Sequence, residues 1–283
     1  MKPSNDKASF YLQFVNAAYT MYESDPNNLV PRTQGFPDPK YDILIYLTSI
    51  DPSSGSRVFF GSIPADPSAA GTKPGILAIG GTDNFCEWLT DFDATPIEFL
   101  PFPGSFVATG FDEFLNGIKW ISADGETVKV DGSLALNWPH GLVMAGHSLG
   151  GALATLLTAS WLSAIEALKL TLVTAACPAC GDDEFYTRFN ALAGDRSWRY
   201  INEADVVASS LDLFYHQDET GIDLHSFDIL PTPTCEHSLE TYLYLLSPAG
   251  TPCTSHCCFF DEAASARLRS LFEQRRRASG AAR

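Results

Sequence analysis

No apolar stretch in this 283-residue chain approaches the roughly 18–20 residues that a membrane-spanning helix needs, so no spanning segment is expected. The N-terminus, MKPSNDKASFYLQFVNAAYTMYESD, lacks a continuous apolar region followed by a small-residue cleavage site, and no secretory signal is read there. On that reading the protein is cytoplasmic or is secreted by a route its sequence does not display. Basic residues are scarce: 18 Lys and Arg stand against 34 Asp and Glu, a net charge of −16. Six arginines fall from Arg267 onward beside one acid, Glu273, which leaves 12 basic and 33 acidic residues over the rest. That balance argues against nucleic acid as a partner, since phosphate backbones select basic faces. A solvated acidic surface explains the imbalance, and a negative potential that speeds release of an anionic product is the sharper reading.

No second CxxC accompanies Cys177-Pro-Ala-Cys180, which weakens a metal or redox reading of that pair. Cysteines stand at 86, 177, 180, 235, 253, 257 and 258, an odd set of seven, so at least one is unpaired in a monomer. Cys235, Cys253, Cys257 and Cys258 cluster late, either as a local disulfide or as small buried thiols.

What is present alternates in type. Phe10, Phe14, Ala17, Ala18, Met21 and Tyr22 fall at helical spacing, and that helix is expected to end near Ser24-Asp-Pro. Two β-rich runs, Asp42–Ile50 and Arg57–Ile63, flank a Pro-Ser-Ser-Gly turn as a hairpin or meander. Gly75–Ile79 predicts a strand, and Asp112 a cap for a helix in DEFLNGIKWISA. Then come a strand in HGLVMAG, a helix from about Leu149 to Leu168, a strand in LKLTLVTAACP and a short one in RYIN. Strands alternating with helices predict a mainly parallel sheet with crossover helices. No repeat or linker divides the chain, so residues 1–283 are read as one α/β domain. A final helix, about 262–277, sets Ala264, Leu268, Leu271 and Phe272 on one face and arginines opposite, to dock on the acidic body or on anionic lipid.

AGHSLGGALA, Ala145–Ala154, holds Gly146-His-Ser148-Leu-Gly150. Such a run alone is short enough to arise by chance, but here an apolar strand precedes it and an unbroken helical run follows. A serine between strand and helix occupies a tight, strained turn, so the residues two before and two after must be small. Gly146, Gly150 and Gly151 meet that demand. The following helix also aims free N–H groups at negative charge developing beside the serine.

A serine hydroxyl is a poor nucleophile until a base removes its proton, and the base needs an acid to orient it. In this strand-turn-helix setting the acid comes next in the chain and the histidine last. Asp205 directly follows the strand segment RYINEA, at a strand's C-terminal end where reactive groups collect in parallel sheets. Asp182, Asp183, Asp195 and Asp212 lie in apparent loops. Of His216, His225, His237 and His256, His237 is preferred because the apolar helix SLETYLYLLS follows it and anchors its loop. His147 cannot fold back onto its neighbour and is assigned to the pocket floor.

With these residues in place, five segments resemble the class 3 lipases, the fungal-type lipase and feruloyl esterase family of α/β hydrolases. They are GGTDNFCEWLTDF, GHSLGGALA, TAACPACGDDEF, YINEADVV and EHSLETYL, within roughly Ile76 to Leu246. The resemblance implies an α/β-hydrolase fold: a central, mainly parallel sheet flanked by helices, with a lid segment after the oxyanion strand. It supports Ser148, Asp205 and His237 as the catalytic residues, and it accounts for Cys177 and Cys180 as occupants of variable positions in a structural segment. Family members end a strand in Arg-Gly-Thr/Ser, whose last residue donates to the oxyanion. That residue here is Thr82, and the N–H of Leu149 is the second donor, each supplying about 3–4 kcal/mol. Gly80 departs from the pattern by standing where the family has arginine, which leaves the loop without that brace.

The family's next segment is a mobile lid with an apolar underside. Phe85, Trp88, Leu89 and Phe92 lie at helical spacing as its counterpart, and Phe99, Leu100, Phe102 and Phe106 add apolar surface. The opposing reading makes Trp88 and its neighbours permanent core. The activity expected is that of a serine carboxylic-ester hydrolase, a lipase acting on acylglycerols through an acyl-enzyme on Ser148. Transient contact with a lipid interface goes with it, and no metal or organic cofactor is implied. The alternatives are an esterase for short-chain or feruloyl esters, a phospholipase A1, and a non-catalytic binding protein that keeps the hydrolase fold.

Overall fold

Gly75–Ile79 and Leu142–His147 are buried at every position, without the alternation of a surface strand. Strands covered on both faces belong in the middle of a sheet. The computed structural model describes residues 3–32, 35–50, 57–63, 73–81, 92–209, 211, 215, 221–226 and 233–247, and it places the two side by side and parallel.

The elements run α1 (Asn5–Ser24), β1 (Ile45–Ile50), β2 (Arg57–Ile63), β3 (Gly75–Ile79), β4 (Pro96–Glu98) and β5 (Phe106–Ala108). Next are α2 (Thr109–Asn116), β6 (Lys119–Ser122), β7 (Thr127–Val128), β8 (Leu142–His147), α3 (Leu149–Ala164) and β9 (Leu170–Ala175). Last come α4 (Asp183–Ala193), β10 (Ser197–Asn202), β11 (Gly221–Leu224), α5 (Pro233–His237) and α6 (Leu239–Leu246). Nine strands form one sheet in the order β11-β10-β9-β8-β3-β2-β1-β6-β7, and β4 pairs with β5 separately. From β3 to β11 all neighbours are parallel. The pairs from β3 out to β7 are antiparallel. The parallel half, flanked by helices, is the α/β sheet the alternating pattern predicts.

Ser4 caps α1 by accepting from the Lys7 N–H at 3.3 Å. The helix ends at Ser24 because Asp25, preceding a proline, is pushed out of helical conformation. α1 packs on β3, β8 and α6, while α3 lies against β8 and β9 with α2 and α4 beside it. α3 is apolar around nearly its whole circumference, and a helix of that composition is stable only when enclosed.

Three expectations need correction. Asp112 does not cap its helix: α2 begins at Thr109 after Ala108, and Asp112 instead accepts from Asn116 Nδ2 at 2.8 Å. The helix stops at Gly117, and Lys119–Ser122 pairs with β1 because Trp120 and Ile121 bury better in the sheet than on a helix. Phe99 and Phe102 are not surface: both are buried beside Phe185, at ring distances of 5.3 and 5.6 Å. The helix expected over 262–277 lies outside the described residues, as do Cys86, Cys253, Cys257 and Cys258. Among the described residues no helix is long and apolar enough to cross a membrane.

The first turn of α3 meets the sheet with almost no space. A Cβ at Gly150 would lie 2.3 Å from the Ile79 carbonyl oxygen and 2.5 Å from that of Gly80, and a Cβ at Gly146 would lie 2.4 Å from the Gly150 oxygen. Because these neighbours are backbone, Gly150→Ala is expected to cost about 1–3 kcal/mol or more of stability, read as a lower urea midpoint at unchanged m-value.

Candidate active site

β8 ends against α3 with one residue, Ser148, to make the turn. Its backbone takes φ 57° and ψ −130°, a left-handed strain of roughly 1–3 kcal/mol for a residue with a side chain. The Ser148 N–H donates to the Ala175 carbonyl at 3.0 Å, and its own carbonyl accepts from Gly151 at 2.9 Å. Both backbone groups are thereby used, and the side chain is carried to the C-terminal edge of the parallel strands. There Ser148 Oγ lies 2.9 Å from His237 Nε2.

His237 is the last residue of α5, directly before Ser238, which caps α6 by accepting from the Thr241 N–H at 3.2 Å. Three bonds hold this segment. Asn202 Nδ2 donates to the Glu236 carbonyl at 2.9 Å, His147 Nε2 donates to the His237 carbonyl at 2.8 Å, and Thr241 Oγ1 donates to the Cys235 carbonyl. The anchoring helix inferred from SLETYLYLLS is therefore present, and it acts on the histidine through its cap.

Asp205 sits in the turn after β10, its side chain fully enclosed. His237 Nδ1 lies 2.9 Å from Asp205 Oδ2 and 3.1 Å from Oδ1. Oδ1 also accepts from the N–H of Val207 at 2.9 Å and of Ala208 at 3.4 Å, and Oδ2 accepts from the Tyr242 hydroxyl at 2.8 Å. A carboxylate this buried needs such partners, since burying an unpaired charge costs several kcal/mol. Tyr242 is kept protonated as a donor: burial first, then the Asp205 charge, pushes its hydroxyl well above the usual tyrosine value. Its oxygen in turn accepts from the Asn202 N–H at 3.0 Å.

With Nδ1 donating to the carboxylate, His237 Nε2 bears a lone pair, and Ser148 donates its proton to it. The order Ser148–His237–Asp205 is a continuous hydrogen-bonded line, the three residues favoured by sequence. Of the competing acids, Asp182 is the cap of α4, accepting from Phe185 at 2.8 Å, while Asp183 opens that helix and Asp195 is exposed. His225 is exposed and sits 3.0 Å from Glu203. Asp212, His216 and His256 lie outside the described residues.

The N–H of Leu149, first residue of α3, has no hydrogen-bond partner among the described residues. Thr82 lies outside them, but Gly81, just before it, is buried with its Cα beside Ser148: a Cβ there would sit 3.0 Å from Ser148 Cβ. Phe85, Trp88 and Leu89 also lie outside the described residues. Phe92, the one candidate lid residue described, is partly buried, its ring tilted at 4.6 Å from Phe111 and lying over Gly110 in α2.

His147 is tied into the structure on both sides of its ring. Both ring nitrogens are taken, Nδ1 by the Tyr19 hydroxyl at 2.9 Å and Nε2 by the His237 carbonyl, and the ring is buried. Burial, with His237 adjacent, pushes its pKa down to about 3, so it stays neutral. Cys177 and Cys180 are buried free thiols, and Cys235 is buried. Burial raises the Cys177 and Cys180 thiols, the reverse of what a redox pair needs. No group of three or more His, Cys, Asp or Glu that could hold a metal occurs among the described residues.

Sequence reasoning missed Tyr19, Asn202, Tyr242 and Arg199. Arg199 is buried, its Nε and Nη2 donating to the Cys177 carbonyl at 3.0 and 2.6 Å and Nη2 to Ala208 at 3.1 Å, which joins the turns after β9 and β10. An arginine inside a strand was the available signal. For Tyr242 there was none, since Tyr244 in the same helix reads identically.

The parallel sheet and the strained serine turn, with the Ser-His-Asp line at the strand ends, make up the α/β-hydrolase fold. More particularly, residues 76–213 match the family model described as Lipase (class 3). Among curated relatives, "Phospholipase A1-II 4" of Oryza sativa subsp. japonica is 34% identical over 36% of this chain and 28% of its own length. "Secreted mono- and diacylglycerol lipase 1" of Fusarium solani is 29% identical over 70% of this chain and 56% of its own. The chain thus spans less than two thirds of either relative. The triacylglyceride lipase of Rhizomucor miehei superposes with a TM-score of 0.59 at 19% identity, covering 79% of this chain and 80% of that one, which is a likeness of fold.

Tyr242→Phe removes one bond to Asp205 and leaves the Asn202 N–H without its acceptor. Stability is expected to fall by about 1–3 kcal/mol, seen in a denaturant melt. His147 generates a pH dependence: the unfolded imidazole, with its pKa near 6.5, binds a proton that the folded one refuses until about pH 3. Stability should fall as pH drops below about 6.5, and His147→Asn should flatten that slope in melts taken between pH 7 and 4.

Proposed function

We propose that the protein is a serine carboxylic-ester hydrolase, a lipase that cleaves acylglycerols. The observation that carries this reading is the line from Ser148 Oγ through His237 to Asp205, with the serine 2.9 Å from the base. Ser148 Oγ attacks the ester carbonyl carbon as His237 Nε2 takes its proton, and Asp205 steadies the imidazolium that forms. The Leu149 N–H and Thr82 receive the negative oxygen. Collapse of the tetrahedral intermediate expels the alcohol, which takes the proton from His237. Water, deprotonated by the same nitrogen, then releases the acid and restores Ser148.

The match to the class 3 lipases supports the substrate class, and so do the Fusarium relative's name and the exposed apolar side chains near β4 and β5. Ile97, Leu100 and Phe106 are uncovered there, Leu100 to 80%, a surface suited to transient contact with lipid. The segment from Asp83 is read as a lid over the site, and residues 1–283 as one domain. A second reading, phospholipase A1, is favoured by the relatives of that name from rice.

A fluorophosphonate probe is expected to label the wild-type protein at Ser148. Ser148→Ala should lose labelling and at least about 10³-fold of ester turnover with its fold intact. Substantial turnover remaining in that variant would sink the scheme. Rates on p-nitrophenyl esters of rising chain length, and on diacylglycerol against phosphatidylcholine, with and without an emulsion, should favour long acylglycerol chains at the interface. Preferential sn-1 cleavage of phosphatidylcholine would establish the second reading instead.

A further inference from the structure

We propose that the Tyr19 hydroxyl is a positioning group that ties the backbone at the end of β3 to the segment carrying His237, fixing the separation between the oxyanion side and the base side of the site. This rests on the ester-hydrolase reading, because that separation matters only if Ser148 reacts.

The bonds concerned have a single consistent direction. A carbonyl only accepts, so in the 2.8 Å contact with the His237 carbonyl the proton is on His147 Nε2. A neutral imidazole carries one N–H, which makes Nδ1 an acceptor. Tyr19 therefore donates to His147 Nδ1 at 2.9 Å, and its oxygen accepts from the Gly81 N–H at 2.6 Å. The line runs from Gly81 through Tyr19 and His147 to the carbonyl of His237, with no donor or acceptor out of place.

One hydroxyl on α1 thus joins the end of β3, the end of β8 and the junction of α5 with α6. Holding the Gly81 N–H fixes the end of β3 where it passes beside Ser148. The approach also explains the residue type at 81, where a Cβ would lie 2.8 Å from the Tyr19 hydroxyl. The strand end lacks the arginine expected at Gly80, and Tyr19 braces it from a different element. Tyr19 touches no reacting atom in this account. It acts through Gly81 and His147, and placement of reacting groups is steep enough that about 1 Å of error costs about 10²-fold in rate.

The test compares wild type with Tyr19→Phe, which keeps the ring and removes only the hydroxyl. Active serines are counted with a fluorophosphonate, p-nitrophenyl butyrate gives kcat and KM, and butylboronic acid, whose tetrahedral adduct on Ser148 mimics the transition state, gives Ki. The expected result is a kcat per labelled serine lower by about 10–100-fold, KM within about twofold, and Ki raised in step with the loss of kcat/KM. A purely structural role would lower the thermal midpoint and the number of labelled serines while leaving kcat per serine and Ki unchanged, and that result would overturn the proposal. Should Tyr19→Phe not fold, His147→Gln breaks the same line at its next member and is read in the same way: unchanged kcat per serine and Ki there also overturn it. Wild-type protein that neither labels nor hydrolyses the ester removes the hydrolase reading and this proposal together, whereas an active wild type with an unaltered Tyr19→Phe removes this proposal alone.

Discussion

The approach of α3 to the ends of β3 and β8 is the constraint on which the rest of the site depends. Backbone meets backbone there, with side chains excluded at Gly146 and Gly150 by contacts that a Cβ would bring to about 2.4 Å or less. A strand and a helix pressed this close leave one residue for the turn, and that residue takes a left-handed conformation although it is a serine. The cost is borne by burial: α3 is enclosed along most of its length, and its apolar side chains hold it against the sheet. The same geometry delivers the first N–H of the helix to the serine's side, so the proposed nucleophile and the proposed oxyanion donor arise from one packing event.

Around that turn the site is assembled from loops, whose polar backbone groups must find partners when buried. Asn202 joins the end of β10 to the residue before His237, Tyr242 joins α6 to Asp205, and Arg199 joins two loop carbonyls. Each is a polar side chain that reaches from one strand or helix to a backbone or carboxylate group of another segment. His147 shows how this network reassigns a residue. Next to the nucleophile and able to titrate, it is held neutral and used as a spacer between Tyr19 and the His237 carbonyl. A neutral neighbour is what His237 needs, since a second positive charge 5.1 Å away would oppose its protonation.

Much of this was legible beforehand. The apolar run ending in Gly146-His-Ser148-Leu-Gly150 showed the strand, the turn and the helix, because each is set by spacing within a dozen residues. Asp205 and His237 could be ranked because a strand end and an anchoring helix lie beside them in sequence. Where the reading failed, the deciding partner was distant. Lys119–Ser122 left its predicted helix for a place beside β1. Phe99 and Phe102 went into the core against Phe185, which no local pattern distinguishes from the exposed Leu100 and Phe106.

By itself, then, the sequence determined the α/β alternation, the strained serine turn and the three residues that could form a nucleophile, a base and an acid, because periodicity and glycine spacing act over short separations. Only the tertiary structure decided that Ser148 and His237, 89 residues apart, come within a hydrogen bond, and that Tyr19 reaches His147 across 128 residues. Those pairings follow from how α1 packs on the sheet and α6 packs on α1. Hydrogen bonds are short and directional, so the partner of a buried tyrosine or histidine is fixed by sub-ångström packing that residue spacing does not encode.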